Sequence, residues 1–394
     1  MSNTAKINKI FEQNNGILQM KPVFVPRRFS KPGKRLKLHP DDYYALGIKR
    51  GAMKERWFSS VVKCLNGPDT EPDEGLSYVD TGDEAITFRD FVEELGAKLI
   101  GNELMEKYGT WPMYAKFFDY QDPLFHHLHP DFDAAARVGA LAKPEAYYFP
   151  VQLNNHLGTF PHTYLGFDPD VTKEMVKERL SNYNNKDIRI TELSRAYRIE
   201  LGTGWYTPPG VAHAPGSVLT YEPQWNSDVN AVFENITAGE VYPYEFMVEN
   251  VPEDKKTDMD YIMSLFDWEK NVDPHYKTKY FRPPVLSSES DGYKETWISY
   301  GNEFIGGKEL TVYPGKTVTV KDEVAFGCVF VQGHGKFGGY DAETPVMMRY
   351  GQRSADEYFV SEKAAKEGIT ITNNSKHDPI VILKHFANNH PDMP

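Results

Sequence analysis

The chain has 394 residues, 40% hydrophobic and 25% charged, with 56 acidic against 44 basic side chains and a formal net charge of −12. That length holds two domains of ordinary size with a substantial core, and the acidity argues against a nucleic-acid partner, which needs a concentrated cationic surface. A mean hydropathy of −0.55 and the lack of any apolar run near 18 residues exclude a transmembrane helix, so no membrane partner is expected.

The N-terminal MSNTAKINKIFEQNNG has no apolar stretch of signal-peptide type, and a cytoplasmic protein is expected. The basic PRRFSKPGKRLKLHP is interrupted by prolines and reads as a solvated loop. From Phe88 to Gly109, apolar residues at helical spacing predict the clearest helix. Strands are expected at WPMYAKFFDY, PLFHHLH and EAYYFPVQL. A second helix is expected in DPDVTKEMVKERLSNYN, opened by Asp168, Pro169 and Asp170. IRITELS, AYRIELG and VLTYEPQW follow as strands, then a third helix in KTDMDYIMSLFDWEKN. Beyond Arg282 come eight short strands, from KETWISYG through GCVFVQGHG and PVMMRYG to PIVILKHF. Their Gly, Asn, Asp and Lys turns suggest a second antiparallel barrel or jelly roll. Cys64 and Cys328 lie far apart in apolar surroundings and read as reduced, buried thiols. The fold class is therefore mainly β with a few helices, divided near residues 85 and 280.

Four residues stand out as one metal-ligand set. Residues two apart share a face of a strand, so His127 and His129 point together while His126 points away. Alternation in KPEAYYF puts Glu145, Tyr147 and Phe149 on one face and Tyr148 on the other. A carboxylate among interior aromatics is costly unless paired or coordinated. The turn Pro208-Pro209-Gly210-Val211-Ala212-His213 reverses the chain and presents a last imidazole. A polar strand end, a salt-bridged interior acid or a satisfied loop histidine would account for any one of these alone. Three nitrogens and one carboxylate oxygen together leave positions open for water or substrate, as a Lewis-acid metal requires.

The combination of HxH, a later Glu and Pro-x-Gly-x-x-His resembles the ligand elements of the cupin superfamily, a double-stranded β-helix. The long gap from His129 to Glu145 is similar to that of the type I mannose-6-phosphate isomerases. Their Lys-x-Leu-Asp-Ala strand before Gln-Val-His-Pro resembles Lys116-Phe117-Phe118-Asp119 before His127-Leu128-His129-Pro130. Their Gly-Lys-x-Glu-x-Trp-Tyr resembles Ala142 to Tyr148, and their Pro-x-Gly-x-x-His-Ala resembles Pro208 to Ala214. Glu55-Arg56-Trp57 with Ser59 is similar to their Glu-Ser-Trp-x-x-Ser. The likeness runs from about residue 20 to residue 245 and more loosely beyond. Two positions depart from it. His127 stands where the family usually has glutamine, and Val232 occupies the place of its arginine, although Ser227-Asp228 survives.

The resemblance implies a bicupin. Residues 1–85 would pack on the first barrel, 86–280 form a metal-binding cupin with helical insertions, and 281–394 a second cupin-like domain without metal ligands. His334 in QGHGKFGG is expected to be a turn residue rather than a ligand. One divalent ion is implied, zinc first and manganese or iron as alternatives, on His127, His129, Glu145 and His213. The implied activity is a metal-dependent aldose–ketose isomerisation of mannose- or fructose-type sugars, or their 6-phosphates, through an enediolate. Lys143 and Glu222 are the acid/base candidates, with Lys143 expected to have a lowered pKa beside a cation. Lys116 and Tyr147 are candidates for substrate contact. The missing arginine bears on a phosphorylated substrate. An iron-dependent cupin oxygenase and a non-catalytic sugar-binding cupin are the alternatives.

Overall fold

Short alternating strands close into two antiparallel double-stranded β-helices, each built from two facing sheets. The computed structural model describes residues 3–82 and 85–394. In the first barrel, a seven-stranded sheet runs in the order Phe281–Arg282, Gly204–Thr207, Glu145–Tyr148, Thr220–Trp225, Met113–Phe118, Ala52–Phe58, Val23–Arg27. A five-stranded sheet faces it, ordered Ser194–Arg198, His162–Phe167, His213–Ala214, His127–Leu128, Ala231–Val232. The second barrel pairs a nine-stranded sheet with a four-stranded one. The protein is thus mainly β, a bicupin with short inserted helices. Within the N-terminal segment, Ile17–Lys21 pairs with Glu357–Val360, whereas Val23–Arg27 pairs with Ala52–Phe58. The first 27 residues therefore add a strand to each barrel.

The two-residue period of a strand decides what each face meets. The outer faces of the two large sheets share one apolar cluster that includes Phe58, Phe117 and Tyr221 from the first and Ile298, Val329 and Leu383 from the second. Polar groups buried there find partners across the seam. Tyr148 Oη donates to Glu309 Oε2 at 2.8 Å, and Tyr221 Oη pairs with His385 Nδ1 at 2.8 Å.

His385 carries a pH consequence. Burial pushes its imidazole down to about 3, against an ordinary value of about 6.5. A depressed folded-state pKa contributes stability above the unfolded value, and that stability is lost as pH falls toward the folded one. Between about pH 6 and pH 4, wild type should therefore lose about 1.4 kcal/mol per pH unit more than His385→Gln does, one proton's worth. Parallel pH dependence of the two urea-unfolding free energies would rule this out.

Several elements differ from expectation. The long helix is three: Phe88–Leu95, Ala97–Ile100 and Asn102–Tyr108. Gly96 and Gly101 break it, with φ of +50° and +89°, and a Cβ at Gly101 would lie 1.7 Å from Glu362 Oε2. The second helix starts later, at Lys173, because Thr172 rather than Asp168 caps it. The third is split into Met259–Ser264 and Trp268–Asn271, where Asp267 caps the second piece. Most of IRITELS forms a 3-10 turn over Ile190–Leu193, and PVMMRYG forms no strand, leaving Val346 and Met347 exposed. His334 opens the strand His334–Phe337 and is exposed rather than lying in a turn.

The largest correction concerns the basic run, which is not simply a solvated loop. Arg27 and Arg35 are buried, because each meets an acidic partner: Asp228 and Glu55 for Arg27, Asp119 for Arg35. Cys64 and Cys328 are free and buried. Among the described residues, no helix is long and apolar enough to cross a membrane.

Candidate metal centre

The site lies inside the first barrel, between its two sheets. His127 stands in the short strand His127–Leu128, flanked on one side by His213 and on the other by Val232. The Pro-Pro-Gly turn sets His213. Gly210 adopts φ +80°, and its N–H donates to His129 O at 2.8 Å, tying the turn to the first ligand strand. Its carbonyl accepts from Asp267 N at 2.9 Å and Asn271 Nδ2 at 2.7 Å, so the short helix at Trp268–Asn271 braces the turn from outside. His126 turns away and pairs with Glu234 at 3.2 Å.

The ring nitrogens of His127, His129 and His213 lie within 4.8 Å of one another, all buried. Each Nδ1 is taken by a backbone carbonyl: Phe125 O at 3.0 Å, Val229 O at 2.7 Å and Val211 O at 2.8 Å, respectively. Carbonyls only accept, so each Nδ1 carries a proton and each ring turns its Nε2 inward. Burial pushes His127 well down, and burial followed by the Lys143 cation brings His129 to about 4, so both are neutral at pH 7.

Glu145 meets two of these nitrogens. Its Oε2 is 3.1 Å from His129 Nε2, and its Oε1 is 3.2 Å from His213 Nε2. His213 Nε2 is buried without a hydrogen-bond partner. A ring lone pair facing a carboxylate oxygen repels it unless a cation lies between them: the Lys143 ammonium is that cation at His129, 3.3 Å from Nε2 and 2.8 Å from Glu145 Oε2, and a metal ion would be it at His213. The donor set therefore fits a divalent ion such as zinc. Tyr147 Oη donates to Glu145 Oε1 at 2.6 Å and fixes the carboxylate. Tyr147→Phe is expected to weaken retention of a divalent ion about tenfold or more, as loss of an outer partner does. Competition with a chromophoric chelator reads the affinity, and an unchanged value would show that Tyr147 plays no such part.

Lys143 is at the centre rather than the rim. Its Nζ is 2.8 Å from Glu145 Oε2, 3.3 Å from His129 Nε2 and 3.1 Å from Glu222 Oε1. Burial disfavours its ammonium, but Glu145 and Glu222 outweigh that and hold it above the ordinary lysine value. The expected lowering is thus not imposed by the protein's own groups. Glu222 and Lys116 face each other across adjacent strands, with Nζ to Oε1 at 3.3 Å, both buried. Burial, and then the Glu145 carboxylate, pushes the Glu222 carboxyl up.

Three further residues complete the wall. Glu55 accepts from Arg27 Nη2 at 3.0 Å and from Tyr120 Oη at 2.9 Å. Asp228 receives both Nη groups of Arg27, at 3.0 and 2.8 Å. Val232 is buried beside His127 and lines the neighbouring cavity. Arg27 escaped notice in the sequence. The available signal was the apolar run Val23-Phe24-Val25, whose strand extends through Pro26 to Arg27.

No protein-family model matches the sequence, and no curated protein matches it. Solved structures do. The mannose 6-phosphate isomerase from Bacillus subtilis superposes with a TM-score of 0.61 at 17% identity, over 94% of this chain and 99% of that one. A variant of the phosphomannose isomerase from Salmonella typhimurium gives 0.65 at 10% identity, over 94% and 100%. A zinc-bound mannose 6-phosphate isomerase gives 0.63 at 11% identity, over 95% and 100%. The chain therefore carries, across nearly its whole length, the bicupin fold of the mannose-6-phosphate isomerases, with a buried three-histidine cluster inside its first barrel.

Proposed function

We propose that the protein is a metal-dependent aldose–ketose isomerase acting on mannose- or fructose-type sugars or their 6-phosphates. The observation that carries this reading is the buried cluster of three histidines with their Nδ1 atoms fixed by backbone carbonyls, two of which set Nε2 against the Glu145 carboxylate. The fold it shares with phosphomannose isomerases, one of them zinc-bound, supports it. His127, His129, His213 and Glu145 would hold the ion, zinc first and manganese or iron as alternatives. When bound there, a divalent ion supplies Lewis acidity toward negative charge developing on the sugar oxygens.

The chain's own residues supply the rest. In the aldose-to-ketose direction the proton on C2 passes to a base and returns at C1, while the O2 hydroxyl proton ends on O1. With each Nδ1 held by a backbone carbonyl and each Nε2 given to the ion, the three histidines would take no part in proton transfer, which leaves Glu222 and Lys143 as the groups to move protons. Glu222 takes the role of carbon base, and Lys143 donates toward the oxygens as charge builds on them. Lys116 holds Glu222 in place and offers its remaining N–H groups to a substrate hydroxyl. Phe118, Phe125 and Tyr147 line the chamber and keep bulk water from it.

The test is a sugar panel. Protein carrying its native metal is incubated with mannose, fructose and their 6-phosphates, and the products are separated by chromatography. Interconversion that a chelator abolishes and zinc or manganese restores is expected. No interconversion across the panel would sink the reading. Iron in the purified protein together with oxygen uptake would move it to the oxygenase class.

A further inference from the structure

Beside the ligand chamber lies a second, larger compartment, of about 90 Å³ against about 30 Å³. Arg27, Phe29, Phe125, Asp228 and Asn230 line both spaces and stand between them. A substrate reaching the chamber with one end would leave its other end in this outer space, and the charges there state what that end is.

The outer compartment has two cations: Arg27 is held through both Nη groups by buried acceptors, and Arg28 has an exposed pair with Asp69 through one nitrogen, at 2.9 Å. Arg27 gives Nη1 to Asp228 Oδ2 and Leu65 O, each at 3.0 Å. Its Nη2 goes to Asp228 Oδ1 at 2.8 Å and Glu55 Oε2 at 3.0 Å. Both Nη groups are thereby occupied by buried carboxylates, while Glu55 also meets Lys116 Nζ at 3.8 Å. Glu249 adds a further carboxylate to the lining, while Val232 and Phe246 present only hydrocarbon. Lys116 and Lys143 are both in the inner chamber, committed to Glu222 at 3.3 and 3.1 Å. A phosphate dianion placed here would meet two acids and would have to strip Asp228 from Arg27. An uncharged hydroxyl-bearing end meets acceptors in Asp228 and Glu249, amides in Asn230 and Asn250, and aromatic rings for its C–H faces.

We propose that this compartment selects the uncharged end of an unphosphorylated sugar and rejects a sugar phosphate. This rests on the isomerase reading only for what happens in the inner chamber.

The test separates binding from turnover. Mannitol and mannitol 1-phosphate cannot be isomerised, so calorimetric titration of the metal-loaded protein with each reads binding alone. Mannitol is expected to bind tighter by a factor of about ten or more, since a phosphate dianion placed beside these carboxylates is repelled. Equal or tighter binding of the phosphate, or binding of neither, would overturn the proposal. Asp228→Asn and, separately, the exposed Glu249→Gln each remove a negative charge, and each is expected to narrow the ratio. The second covers the case in which the buried Asp228 variant fails to fold. A ratio unchanged in every variant that folds would also overturn it. Selective binding of mannitol with no turnover of mannose or fructose would remove the isomerase reading and leave the selectivity standing.

Discussion

His213→Ala is expected to empty the metal centre. Protein purified without added metal should hold about one divalent ion per chain in wild type and less than about a tenth of that in the variant. The ring is fully buried, and its Nδ1 is held by Val211 O at 2.8 Å, so no neighbouring nitrogen can swing in to replace it. Its loss also leaves Glu145 Oε1 without the nitrogen that stood 3.2 Å away. His126→Gln is the control, because that ring points to Glu234 and Tyr164 on the other side of the strand. It should keep the ion. A second readout is thermal: an ion at about a hundred times its Kd stabilises the wild-type fold by about 2.7 kcal/mol, and the gain should vanish in His213→Ala. Sugar turnover should fall to background in parallel. Unchanged metal content would refute the ligand set.

How much of this centre was legible depends on the range over which each residue is determined. His127, His129 and Glu145 follow from strand alternation, a rule acting over two residues. His213 follows from a turn whose proline and glycine declare it. Val232 could be placed because Ser227-Asp228 anchors it a few residues upstream. Arg27 was out of reach for the opposite reason. Its burial is decided by Asp228, 201 residues away, and by Glu55. Read locally, a basic run broken by prolines belongs in solvent. Lys143 misled in part for the same reason: Glu145, two residues away, raises its pKa most, and Glu222, which only the pairing of distant strands brings to it, adds to that. In the fold, seven of the eight expected C-terminal strands were foreseeable from their turns, whereas at Gly101, where the Phe88–Gly109 helix breaks, Glu362 packs where a Cβ would lie. The division of roles at positions 55 and 56 shows what alternation does settle once the sheet is known. Glu55 faces the ligand chamber, and Arg56 faces the second barrel.

That second face leads to the largest expected loss of stability. Arg56→Ala should destabilise the protein by about 3–5 kcal/mol, the usual cost of removing one partner from a buried ion pair. Its guanidinium donates to Asp356 through both Nη atoms at 2.8 Å and to Glu357 at 3.1 Å, and all three side chains are buried. Arg56 belongs to the strand Ala52–Phe58 of the first barrel, and Glu357 to Glu357–Val360 of the second. The cluster therefore spans the seam, and the variant leaves Asp356 with a buried charge that Ser354 Oγ, at 2.5 Å, only partly satisfies. Adding Asp356→Asn to Arg56→Ala removes that charge and should recover part of the loss. Urea-unfolding midpoints of the single and double variants measure both effects. Metal content should not change, because the cluster occupies the face of the sheet opposite the ligands. A loss below about 1 kcal/mol, the scale of an exposed pair, would mean that the seam is held by its apolar contacts alone.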